Sequence, residues 1–258
     1  MNLTKEEYYN LDLVCISRTA ELRRKGDLLL KKYVYANPMV KSRFDYLLNF
    51  PHIKDSGELL EELFINDDYI GIVVNNFQEA FPFSKGNNFS IMEKSKACID
   101  INRQLLTLHK YHMCFNDIHS DNFLIDKYGG HLIDFDEIDY FGGSSYAPKY
   151  RLGNCNGNVF NGSVKVDLYK ALLCYLELFY NLDIVKELQF ANVLDISKVP
   201  ILFSHTSVQT LVNDATLAMF CFDFENIPGI EELLPFVFDE ERYNSDLEAI
   251  KKNIKVIR

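Results

Sequence analysis

Strand-like runs dominate the first 75 residues, and helical spacing takes over beyond residue 90. Leu11 to Ile16 and Thr19 to Arg24 are followed by a Lys25-Gly26-Asp27 turn and a third run, Leu28 to Tyr35, which predicts a β-hairpin. Asn37-Pro38 opens a predicted helix through Asn49, with Val40, Phe44, Leu47 and Leu48 at helical intervals. Glu58 to Asn66 and Tyr69 to Asn75 flank an Asn66-Asp67-Asp68 turn, so two further strands are expected, with Ile70, Ile72 and Val74 on one face. From Ser90 to His112, Ile91, Cys98, Ile101, Leu105 and Leu108 share one face of a long helix. Two short apolar runs follow, Phe123-Leu124-Ile125 and His131-Leu132-Ile133, either side of a Gly-Gly turn. The stretch from Asp136 to Val164 is polar, rich in Gly and Asn, and without period, as a long functional or mobile loop is. Residues 184 to 258 carry amphipathic runs without evident chemistry.

Composition narrows the class. Hydrophobic residues make 48% and charged residues 25% of 258, the balance of a packed globular chain. The formal net charge is −10, which disfavours a nucleic-acid partner that would need clustered Lys and Arg. Six cysteines occur without C-x-x-C pairs, several inside apolar runs, as in reduced thiols of a cytoplasmic protein. No apolar run approaches about 18 residues, so no membrane partner is expected.

The chemistry concentrates between Leu108 and Gly142. Asp117 and Asn122 stand five positions apart on one loop, and Asp134 follows the second apolar run. Carboxylate and amide oxygens gathered at strand ends could seat a metal ion. The sequence Asp117-Ile118-His119-Ser120-Asp121-Asn122, followed by Asp134-Phe135-Asp136, resembles the catalytic loop and metal-binding motif of the protein-kinase-like superfamily. The resemblance is nearest to the aminoglycoside- and choline-kinase-type branch, whose loop is spelled D-[LI]-H-x-x-N.

That resemblance implies an α+β, bilobal protein-kinase-like fold, with a small antiparallel β lobe (1–75), a hinge or connector (76–88) and a mostly helical catalytic lobe (89–258). It implies transfer of the γ-phosphate of ATP to a hydroxyl-bearing acceptor, assisted by Mg²⁺. Asp117 would take the acceptor's proton, with His119 beside it orienting loop or phosphate. Asn122 and Asp134 would hold the metal. Lys31 would pair with nucleotide phosphates, Lys32 offering the same chemistry one face over, and Asp45 would answer the lysine from the following helix. Asn75, Asn76 and Phe77 would meet the adenine edge. Asp167 would hold the catalytic loop from behind, while His109 and His112 suit helix capping or packing.

Two departures keep other readings open. Ser17-Arg18-Thr19-Ala20 lies where a Gly-rich phosphate loop is expected and contains no glycine. Of the A-P-E that closes a protein-kinase activation segment, Ala147-Pro148-Lys149 keeps two letters. A Ser/Thr protein kinase, and a pseudokinase that binds nucleotide or protein without chemistry, are the alternatives. The acidic excess at Asp223, Glu225, Glu231, Glu232, Asp239, Glu240 and Glu241 would favour a cationic acceptor if it faced Asp117, and is otherwise a solvated face.

Overall fold

The structure, a computed structural model, describes residues 1–35, 38–50, 59–135, 138–140, 163–190, 193–220 and 227–257. The chain is α+β and divides into two compact units, Met1–Glu79 and Ala80–Arg258.

The first unit is a six-stranded sheet. Strands β1 (Asn2–Leu3), β2 (Asp12–Ile16), β3 (Ala20–Lys25), β4 (Leu28–Tyr33), β5 (Leu59–Ile65) and β6 (Asp68–Asn75) lie in the order β1-β5-β6-β4-β3-β2. The expected sheet was purely antiparallel, but β1 joins β5 in parallel, with Asn2 opposite Phe64, so the sheet is mixed. The N-terminal ammonium secures this addition, 2.8 Å from Glu61 Oε2 and donating to the carbonyl of Glu62. Helix α1 (Lys5–Tyr9) was also unforeseen. It starts on a capping box in which Thr4 Oγ1 accepts from Glu7 N while the Glu7 carboxylate accepts from Thr4 N.

Leu3, Tyr8, Leu30, Leu63, Ile65 and Val73 form the core beneath α1. Alternation along β4 sends Leu30 to that core and Tyr33 the other way, onto Phe44 of helix α2 (Pro38–Leu48), where the rings stack at 5.9 Å. Gly71 lets β6 lie close on β4. A Cβ at this position would stand 1.9 Å from the Lys31 carbonyl oxygen.

In the second unit, Ser90 and Glu93 form a capping box that starts the 20-residue helix α3 (Ile91–Lys110). Strands β7 (Phe81–Pro82), β9 (Phe123–Asp126) and β10 (Gly129–Leu132) make a small antiparallel sheet. The β9–β10 hairpin lies directly on α3. Gly130 permits this, since a Cβ there would be 2.2 Å from the Ala97 carbonyl oxygen, and Gln104 of α3 bonds both Gly130 O and Leu132 N. Strand β8 (Met113–Cys114) pairs with β11 (Asp139–Tyr140). Helix α4 (Val164–Tyr180), capped by Ser163, is buried along nearly its whole length.

Beyond it come α5 (Ile184–Leu188), the short hairpin β12 (Gln189–Phe190) and β13 (Val193–Leu194), and helices α6 (Val199–Leu202), α7 (Gln209–Phe220), α8 (Ile230–Val237) and α9 (Glu240–Ile257). Buried Asp246 pins α9 by accepting from Tyr180 Oη, Ser207 N and Ser207 Oγ. Among the described residues, no helix is long and apolar enough to cross a membrane. Residues 80–88, expected as part of a connector, fall in the second unit as β7 and a 3₁₀ helix (Phe83–Asn88).

Candidate functional site

The loop between β8 and β9 is held from below by one buried carboxylate. Asp167, in the first turn of α4, is fully buried and accepts from Phe115 N at 2.7 Å and from Asn116 N at 3.2 Å. His109 Nε2 contacts the same carboxylate at 3.1 Å. Asp167 does not cap its own helix, a task that falls to Ser163. It serves the loop instead, as expected, and His109 proves to be its buried partner rather than a helix cap.

Three residues on, Lys170 is 1% exposed and donates from Nζ to the Asn116 carbonyl at 3.3 Å. The residue between these contacts and Asp117 is therefore gripped at both its N–H and its C=O. Asn116 has φ +66°, a left-handed conformation that Asn tolerates better than most residues.

Asp117 follows directly. Asn122 Nδ2 donates to its carbonyl oxygen at 2.9 Å and to its carboxylate Oδ2 at 3.0 Å. His119 Nε2 stands 3.7 Å from the same Oδ2. Nδ1 of His119 accepts from Asp121 N at 3.3 Å, which leaves Nε2 to carry the proton that faces Asp117. The other carboxylate oxygen, Oδ1 of Asp117, is buried without a hydrogen bond. Burial raises the Asp117 pKa, but His119, Asn122 and the Lys170 charge outweigh it and hold the group below its ordinary value. The result is an ionised, oriented carboxylate with one acceptor oxygen uncommitted.

Asp134 reaches the same place from the hairpin. Leu132 pairs with Phe123, and Ile133 N donates to the Asn122 carbonyl at 3.0 Å, so Asp134 comes immediately after the bond that fixes Asn122. Its φ of +67° turns the chain sharply out of the strand. Because the Asn122 amide nitrogen is spent on Asp117, its carbonyl oxygen is the atom suited to a metal. Among the described residues no three His, Cys, Asp or Glu side chains make a metal-binding group on their own. An amide oxygen and a carboxylate nevertheless fit Mg²⁺, which shares its coordination with substrate phosphates.

In the first unit, Lys31 and Lys32 point to opposite faces of β4. Lys32 Nζ donates to Tyr9 Oη at 2.8 Å and lies over the Tyr8 and Tyr9 rings on the α1 side. Lys31 Nζ lies 5.7 Å from the Tyr33 ring, on the face that carries α2. Asp45 on α2 pairs with Lys41 Nζ at 3.0 Å rather than with Lys31, and Lys41 also reaches Glu62 on β5 at 2.8 Å. Four residues along one helix is the natural reach of such a pair, which explains the exchange of partners. Lys41 holds the Asp45 pKa below its ordinary value.

Asn75 ends β6 opposite Leu28, and Asn76 N donates to the Asp27 carbonyl. Asn76 Nδ2 is buried without a partner, and Phe77 follows it. In the glycine-free Ser17 turn, Ser17 Oγ accepts from both Thr19 N and Ala20 N.

Asp136, Ala147, Pro148, Lys149, Asp223 and Glu225 lie outside the described residues. Two of the remaining C-terminal acids have local duties: Glu232 accepts from Gly229 N, and Asp239 accepts from Arg242 N. Lys170 escaped the sequence reading, although its signal is visible as one charge inside the run Leu168-Tyr169-Lys170-Ala171-Leu172. Ser84 was missed for want of any signal; its hydroxyl donates to Asp121 Oδ1 at 2.6 Å. No protein-family model matches the chain, and a comparison with curated proteins also gives no match.

Proposed function

We propose that the protein is an ATP-dependent phosphotransferase of the bilobal protein-kinase-like kind, moving the γ-phosphate to a hydroxyl acceptor with Mg²⁺. The observation that carries this reading is the Asp117 carboxylate, ionised and aimed by Asn122 and His119, with Oδ1 uncommitted and buried. In this reading the acceptor hydroxyl bonds the Asp117 carboxylate. Its oxygen attacks the γ-phosphorus, the bond to the bridging oxygen breaks, ADP departs, and the proton passes to Asp117. Asn122 and Asp134 would hold Mg²⁺, which would neutralise phosphate charge when bound. Lys31 keeps the nucleotide-phosphate role, while Lys32 donates to Tyr9 Oη on the opposite face of β4. Asn75, Asn76 and Phe77 keep the adenine-edge role, where the partnerless Nδ2 of Asn76 is a donor suited to a base. A small-molecule acceptor is favoured over a protein by the Asp117-Ile118-His119 spelling.

One observation favours a second reading, a pseudokinase that binds nucleotide or protein without turnover. The Ser17 hydroxyl closes the turn that would otherwise present amides to phosphate. A thermal-shift titration with ATP, with and without Mg²⁺, tests nucleotide recognition. At about 100 times Kd the bound state gains about 2.7 kcal/mol. A shift that requires the metal supports both readings over a protein that ignores nucleotide, and no shift at any ATP concentration overturns the phosphotransferase.

A further inference from the structure

We propose that Lys170 is a positioning residue for phosphoryl transfer, fixing the Asn116 carbonyl so that the loop presents Asp117 to the acceptor. The inference rests on the phosphotransferase reading for its catalytic consequence, but its structural part stands on contacts within the second unit alone.

A lysine in the middle of a buried helix is costly, because its charge leaves water and a packed apolar residue would serve the fold as well or better. Lys170 is 1% exposed on a helix whose neighbours Tyr169, Ala171, Leu172 and Leu173 are all buried. Its ammonium goes to the carbonyl immediately before Asp117. Asp167, one turn earlier on the same helix face, goes to the two amides at Phe115 and Asn116. The pair thus grips the chain with opposite charges on opposite backbone groups, in the polarity each group requires. Between them sits Asn116, held at φ +66°.

A left-handed residue has a right-handed or extended alternative, and a flip at Asn116 would redirect the Asp117 side chain. The Lys170 bond to the carbonyl opposes that flip, and the Asp167 bonds act on the amides instead. The charge of Lys170 also lies near enough to Asp117 to favour its ionised form, in support of the same geometry.

The test uses the full chain and two variants, Lys170→Met, which removes donor and charge, and Lys170→Gln, which keeps a donor. Amide exchange across residues 115–117 is read against exchange in α3, alongside kcat and KM for ATP with a hydroxyl acceptor. Lys170→Met is expected to speed exchange at 115–117 by about 10-fold or more while α3 is unchanged, as loss of one buried charged hydrogen bond requires. It is expected to lower kcat at least as much, with KM for ATP within about twofold. Lys170→Gln is expected to recover part of both losses, and it serves as the probe if the Met variant does not fold. Unchanged exchange at 115–117, or exchange that rises equally in α3, overturns the proposal. Local loosening with kcat preserved also overturns it, since Lys170 would then be structural only. A wild type without any transfer would sink the phosphotransferase reading, and the exchange comparison would still decide whether Lys170 holds the loop.

Discussion

Replacing Asp167 by alanine removes the acceptor for three donors at once: Phe115 N, Asn116 N and His109 Nε2. Asp167 is fully buried, and the two amides point at it from a loop with no strand partner there. A buried donor left without a partner costs about 1–3 kcal/mol. Two amides and a histidine would sum to several times that, but water admitted to the vacated space restores part of it. The loss also removes a negative charge that favours the buried Lys170 ammonium. We expect Asp167→Ala to destabilise the second unit by about 4 kcal/mol. For a unit of this size about 2–4 °C accompanies each kcal/mol, so its melting temperature should fall by roughly 8–16 °C. Differential scanning calorimetry resolves the two units if they melt separately, and urea titration gives the free energy. Asp167→Asn, which keeps one acceptor oxygen, should lose less than Asp167→Ala. A loss below about 1 kcal/mol for the alanine variant would refute the idea that this carboxylate organises the loop.

Other expectations follow from separate contacts. Asp134→Asn should abolish the metal-dependent part of ATP stabilisation in a thermal-shift assay, because a neutral amide replaces the carboxylate assigned to Mg²⁺; an unchanged Mg·ATP shift would remove Asp134 from that role. Gly130→Ala should cost about 2 kcal/mol or more by urea titration, since the new methyl meets the Ala97 backbone and must push the hairpin off α3. Asp126 has its pKa lowered: burial pushes it up, but His131 and the amides of Tyr128 and Gly129 more than reverse this. Its folded value therefore lies below the unfolded one, so its stabilisation is present above about pH 4 and lost as pH falls through the folded value. Asp126→Asn should then be less stable than wild type at neutral pH by about 1 kcal/mol, and the difference should vanish in acid; a difference constant with pH would contradict the assignment.

The sequence carried the local elements of this fold well and its pairings less well. Strands β2 to β6 and helices α2 and α3 follow from alternation, turn residues and caps, all of which act over a few positions. The parallel addition of Asn2–Leu3 to β5 depends on a contact some 60 residues away, for which two residues leave no periodicity. Helix α1 was legible in the Thr4 to Glu7 capping box, but five residues are too few for a helical stripe. At the site, a hairpin with a tight turn brings Asn122 and Asp134 to its two neighbouring ends, and Asn122 ties in Asp117 across the loop. Which face each lysine takes needed the third dimension: Lys32 lies with Tyr9 and Lys31 beside Tyr33 on the other face of β4. Asp45 illustrates the limit: its competing partner, Lys41, was in plain view at helical spacing, but a residue's preference among several cations is set by distance.

The most direct test of the phosphotransferase reading is a transfer assay with ATP radiolabelled at the γ-phosphate, run on wild type and Asp117→Ala with Mg²⁺. Aminoglycosides, choline, neutral sugars and a basic protein serve as acceptors. Wild type should label at least one small hydroxyl-bearing acceptor. Asp117→Ala should bind ATP with little change and turn over more slowly by a factor on the order of 10² or more. Equal transfer by the two proteins, or no labelling of any acceptor and no release of phosphate by wild type, would contradict the account.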